Sequence, residues 1–212
     1  QKFYLKKNRI TLNLVPVNLL EDFKHSFILF VQFLPLIWVI SFLWSLFLGL
    51  LQYYSLIEEF PVQPLVELMA KDIPMFDYLL IAVLGIAFVP MIEEIIFRGF
   101  LQQILEIHWK DITRAVLFTA LLFSIIHMNP YWFAQIYILG ILLGFLAWKT
   151  NSIIPPLILH CLNNLIALVL SFTANNETSF YLYKGHVSPW ILLLAIIIVY
   201  TGFKEINKGS FN

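Results

Sequence analysis

Long runs without a charged side chain alternate with short polar stretches along this chain. Phe27 to Leu51 is the first such run. A helix needs roughly 20 mainly apolar residues to cross about 30 Å of hydrocarbon. The run is therefore read as a first membrane span, with Pro35 a point where it can kink. Tyr78 to Ile92 is also uncharged, and its helix is expected to continue past Glu93. Ala115 to Trp148 contains no Asp, Glu, Lys or Arg. As one helix it would be about 50 Å long, which is too long for a single crossing. Asn129-Pro130 supplies the turn that divides it into a third and a fourth span. The third is short unless it starts near Asp111. Pro155 to Ala174 is a fifth, its two leading prolines suited to a first helical turn. Val187 to Phe203 is a sixth. The mixed stretch from Phe60 to Asp77 reads equally as a short interfacial helix or an irregular loop. The expected fold is all-α: a polytopic transmembrane helical bundle of about six spans.

Composition supports a lipid environment. Hydrophobic residues make up 60% of the 212, charged residues only 12%, and the mean hydropathy is +0.84. Soluble domains carry about 25% charged residues, so no water-facing surface can be drawn from this chain. A formal net charge of zero gives no electrostatic basis for binding nucleic acid. The single cysteine, Cys161, excludes an internal disulfide. Residues 1–25 lack a signal-peptide layout and are expected to form a cytoplasmic or interfacial segment ahead of a membrane domain over 26–212. Lys2, Lys6, Lys7, Arg9, Lys24, Lys110, Arg114, Lys149, Lys204 and Lys208 all fall on one side of a six-span layout. By the positive-inside rule that side is cytoplasmic. Both termini are thus expected in the cytoplasm, with a bacterial plasma membrane as the host bilayer.

Ionisable residues inside spans cost several kcal/mol each and tend to mark function. Here Glu93, Glu94 and Arg98 fall in the second span, His127 in the third, and His160 and Asn164 in the fifth. Adjacent carboxylates point about 100° apart on a helix. Glu94 precedes Arg98 by four residues, the favourable order for a helical pair, which leaves Glu93 to face elsewhere. In a dry bundle Glu93 needs a metal, a water or a histidine, a setting suited to a general base. One Glu and two His from three helices form a plausible set for a divalent metal such as Zn. The same three side chains would equally hold a water with no metal. Asn164, one turn after His160, can donate to an oxyanion, a role worth about 10²–10³ in rate. Gly140 and Gly144 form a G-x-x-x-G pattern that permits close helix packing.

These residues carry a family resemblance. Glu93-Glu94-Ile95-Ile96-Phe97-Arg98 resembles the E-E-x-x-x-R motif of the CPBP family, which comprises intramembrane CAAX prenyl endopeptidases and bacteriocin-processing or immunity proteins and is also called Abi. Phe123 to His127 resembles its F-x-x-x-H motif, and His160 to Asn164 its H-x-x-x-N motif. The resemblance covers residues 78 to 172 or so, with order and spacing in agreement. It implies a membrane endopeptidase in which Glu93 activates water while His127, His160 and Asn164 stabilise the transition state. Glu94, Arg98 and Phe123 would support them, around an active-site cavity within the membrane. The expected enzyme is a metalloprotease-type peptide hydrolase acting on a membrane-associated protein or peptide, with Glu93, His127 and His160 as ligands if a metal is bound. Two other readings use the same residues: a proton- or metal-coupled transporter, and a non-catalytic immunity or scaffold protein of the same fold. One geometric tension stands out. His160 lies only about 8 Å into its helix, whereas His127 lies over about 20 Å into its own, so for the two to meet the fifth span must start nearer Asn151 or the cavity must slant.

Overall fold

The structure is a computed structural model and describes residues 19–58, 74–174, 182–183, 186–190, 193–194 and 197. Five helices carry these residues. They are α1 (Leu19–Tyr53), α2 (Met75–Trp109), α3 (Ile112–Ile126), α4 (Phe133–Thr150) and α5 (Ile154–Ala174). A single two-residue ladder pairs Leu182–Tyr183 (β1) antiparallel with His186–Val187 (β2). The all-helical expectation holds. Among the described residues, three helical segments are long and apolar enough to cross a membrane: Pro35–Tyr53, Met75–Trp109 and Phe133–Thr150. α3 and the Ile154–Val169 part of α5 are shorter apolar stretches. Most of the expected sixth span and most of the stretch from Phe60 to Asp77 lie outside the described residues.

Local sequence explains where the helices start and stop. Asp111 caps α3, its carboxylate accepting from the Arg114 N–H at 3.0 Å. The break expected at Asn129-Pro130 occurs between α3 and α4. Asn129 closes that turn by accepting from the N–H groups of Tyr131 and Trp132 at 2.9 and 3.3 Å. α5 begins at Ile154, so Pro155 and Pro156 occupy its first turn as expected, and its start does not move back to Asn151. Asn151 instead ends α4 in a left-handed conformation, with φ 49°.

α2 is the least regular helix and the most consequential. Two wide π-helical segments, Leu84–Phe88 and Ile95–Leu101, flank the α-helical piece Val89–Glu94. Pro90 lacks an N–H and its ring crowds the preceding turn, and the first wide segment lies immediately before it. Such segments are rare and recur at functional sites.

Packing centres on α4. Leu139, Leu142, Leu143 and Leu146 of α4 bury against Ile37 of α1 and Leu159 of α5. The opposite face of α4 carries Gly140 and Gly144. A Cβ at Gly140 would stand 3.0 Å from Cβ and 3.1 Å from Cα of Ala120, so α3 has no room for a larger residue. At Gly144 it would meet the Gln102 side chain at 2.7 Å and Val116 at 3.1 Å. The apolar side chains at the surface, such as Leu79, Val83, Phe88, Ile96 and Phe100 of α2, form the lipid-facing exterior.

These contacts predict opposite outcomes at two glycines. Gly140→Val is expected to lose about 1–3 kcal/mol by overpacking against the α3 backbone. Gly49→Ala, with nothing within 4 Å of the added carbon, is expected to be neutral or stabilising by up to about 1 kcal/mol. Thermal unfolding of the two variants in detergent would check this.

Candidate active site

The site is built where α2, α3 and α5 meet, around one fully buried ion pair. Arg98 donates to Glu94 Oε1 at 2.8 Å, with both side chains removed from solvent. The guanidinium has further partners. It donates to the Gly140 carbonyl at 3.2 Å, which the missing side chain at Gly140 leaves accessible. Its carbon also sits 4.4 Å from the centre of the Phe123 ring, a favourable cation–π placement.

Glu94 does more than the helical pairing predicts. The same Oε1 lies 2.9 Å from Nδ1 of His160. A carboxylate paired with arginine accepts only, so Nδ1 of His160 is the donor. The geometry turns Nε2 of His160 toward Glu93, 3.6 Å from its Oε2. His127 is oriented the same way by a different partner. Its Nδ1 lies 2.6 Å from the Phe123 carbonyl oxygen, which can only accept. Nε2 of His127 is then left facing Glu93 Oε1, at 4.0 Å. Phe123 is the common floor, its ring edge-on to His127 at 4.7 Å and to His160 at 5.7 Å between centres.

Glu93 is thus flanked by two imidazoles whose other nitrogens are occupied. In the neutral rings both Nε2 atoms are acceptors, and so is an ionised Glu93. Three acceptors turned on one another favour something between them that is positive or that donates hydrogens. Glu93 and His127 keep 18% and 27% of their side-chain surface open, so water can reach this spot, while Glu94, Arg98 and His160 are sealed.

The donor types and their supported orientations fit a divalent metal. Histidine ligands commonly donate their other N–H to a carboxylate or a carbonyl, as both rings do here. The spacing is looser than a closed ligand shell. Among the described residues, no group of three His, Cys, Asp or Glu side chains is close enough to form one.

All the residues expected from the sequence come to this region, with one difference in detail. Asn164 donates from Nδ2 to the Gly85 carbonyl at 3.0 Å, in the first wide segment of α2. One of its two amide hydrogens is therefore engaged with backbone, and α5 is tied to α2 above Glu93. The tension over depth resolves without an earlier start for α5. His160 reaches Glu93 across from a helix whose first residues, Pro155 and Pro156, are buried inside the bundle.

Sequence reading missed a second row of buried polar groups. Gln102 donates to the Gly144 carbonyl at 2.9 Å and to Glu106 Oε1 at 2.8 Å. Gln103 donates to the Gly99 carbonyl at 2.8 Å. Gln102, Gln103 and Glu106 are all buried. The available signal was a repeat: Glu94, Arg98, Gln102 and Glu106 follow one another at four-residue steps, matching the four-residue step between the facing glycines.

Removing one member of a buried ion pair leaves an uncompensated charge, at a cost of about 3–5 kcal/mol. Arg98→Leu is expected to lose that much in denaturant unfolding. Arg98→Lys is expected to recover little, because a single ammonium cannot span Glu94 and the Gly140 carbonyl as the planar fork does.

Comparison with known proteins agrees with the motifs. No curated protein and no solved structure gives a match. A family model does match over residues 75–166, described as Type II CAAX prenyl endopeptidase Rce1-like. That stretch contains Glu93, Glu94, Arg98, Phe123, His127, His160 and Asn164. The matched stretch runs from α2 through most of α5, and over residues 75–166 the chain is similar to the CAAX-type intramembrane proteases.

Proposed function

We propose that this protein hydrolyses a peptide bond of a membrane-associated protein or peptide, using a water activated by Glu93. The observation that carries the reading is the convergence of Glu93 with the Nε2 atoms of His127 and His160 at 4.0 and 3.6 Å in a spot that stays partly open. The family match over residues 75–166 supports the same class of reaction.

In this mechanism a water between Glu93 and the two imidazoles gives a proton to the Glu93 carboxylate as its oxygen bonds to the peptide carbonyl carbon. The carbonyl π electrons move onto oxygen. The second amide hydrogen of Asn164 donates to the oxyanion, while the His160 ring helps to hold the attacking water. When the intermediate collapses, the C–N bond breaks and Glu93 returns its proton to the departing amine. Glu94 holds His160 in the required tautomer, and Arg98 holds Glu94 in place. A divalent ion such as zinc, held by Glu93, His127 and His160, would add Lewis-acid polarisation of the water at the same place. The substrate chemistry in the family's name makes a C-terminal peptide carrying an S-prenylated cysteine the first substrate to test. The apolar exterior of α2 beside Glu93 supports delivery of such a substrate from the bilayer.

The purified protein in detergent, given a fluorescence-quenched peptide with a farnesylated cysteine near its C-terminus, is expected to cleave it. Glu93→Gln is expected to reduce the rate by about 10²–10⁴ without unfolding the chain. Wild-type cleavage by Glu93→Gln would remove the mechanism. Glu94→Gln is expected to cost about 10–100-fold, the smaller loss of a group acting through His160. Metal analysis before and after dialysis against a chelator, with rate measured in parallel, is expected to distinguish the metal-bound from the metal-free form of the site.

A further inference from the structure

The family match begins at residue 75, yet the site has a contact supplied from before it. α3 has 15 residues and rises about 22 Å, roughly 8 Å less than the hydrocarbon core is thick. It starts beside the polar pair Lys110 and Asp111. Its far end, where His127 stands as the last residue before the turn, therefore stops inside the hydrocarbon depth. The turn that follows is not helical, with Met128 in the left-handed region at φ 50°. Irregular backbone at that depth is tolerated only where it is enclosed by protein or lines a wet cavity.

Part of that enclosure comes from within the turn, through the Asn129 side chain. The rest comes from α1. Trp44 donates from Nε1 to the Pro130 carbonyl at 2.6 Å, and Gln52 donates from Nε2 to the Tyr131 hydroxyl at 3.0 Å. The Trp44 ring also leans on Phe133, the first residue of α4, at 6.1 Å between centres. The ring of His127 is steered from its own helix by Phe123, but its backbone lies where helical hydrogen bonding runs out. The two hydrogen bonds from α1 fall three and four residues after it, at Pro130 and Tyr131.

We propose that Trp44 and Gln52 are positioning residues for His127, with α1 acting as a clamp on the turn that carries this histidine. The inference rests on the hydrolytic reading above. It explains why a helix outside the family-matched region reaches the turn that follows the His127 end of α3. A catalytic group displaced by about 1 Å can lose up to about 10²-fold in rate, and the turn beside His127 depends on side-chain hydrogen bonds from Asn129, Trp44 and Gln52 where helical ones have ended.

The test uses the full chain and the farnesylated quenched peptide. Trp44→Phe keeps an aromatic ring but removes the N–H along with part of the indole, and Gln52→Met keeps the length and removes the amide. Each is expected to lower kcat roughly tenfold while KM stays within about twofold and thermal unfolding is unchanged. If Trp44→Phe fails to fold, Gln52→Met with Tyr131→Phe supplies a cycle. The double variant is expected to lose less than the product of the two single losses, because both singles break one bond. Wild-type kcat in both single variants, or fully multiplicative losses in the cycle, would overturn the clamp while Glu93-dependent cleavage survives. Absence of any Glu93-dependent cleavage in the unaltered chain would sink the hydrolytic reading and the clamp together.

Discussion

A guanidinium placed in a membrane bundle needs partners, and most of this structure follows from how Arg98 is held. It cannot lose its proton, and it has almost no contact with water. Its partners come from three helices: Glu94 on its own, the Gly140 carbonyl on α4 and the Phe123 ring on α3. Each partner has a second duty. Glu94 orients His160, Phe123 supports both histidines, and Gly140 admits α3 to close contact. The ion pair is a weak source of stability by itself, since removing two charges from water offsets most of their attraction. Its value lies in fixing where neighbouring groups must be.

That arrangement separates two adjacent glutamates into different tasks. One is sealed and committed to arginine and histidine, and the other is left in a half-open spot facing two imidazole nitrogens. The separation begins with the 100° step between neighbours on a helix and is completed by the surrounding helices. The wide turns of α2 on either side of the Glu93–Glu94 dipeptide belong to the same solution, because they alter which residues share a face over a short distance.

Much of this was legible in the sequence because it is local. The uncharged runs, the Asn129-Pro130 break, the prolines opening α5 and the Glu94–Arg98 pair all depend on residues a few positions apart. The three motifs were legible because polar groups are costly in hydrocarbon and stand out against it. The contact from Glu94 to His160 was not, since it spans 66 residues and depends on the relative rotation of two helices. Nor was the engagement of Asn164 with a backbone carbonyl, because backbone acceptors have no sequence signature. Gln102 and Glu106 were overlooked for a different reason. Near a helix end such residues read as interfacial, and only the facing glycines reveal that they are enclosed.

Leucine-rich helices in lipid have little to stop one sliding along another, because lipid and neighbour are equally oily. Between α2 and α4 the two polar side chains and the two glycines act as a vernier. Arg98 meets Gly140 and Gln102 meets Gly144, at the same separation of 42 residues. Slide α4 by one turn either way and only one of the two matches survives. The other polar group would then confront Trp148 or Ile136, large residues where a glycine now lets the helices approach. The helices have a single alignment in which both are served.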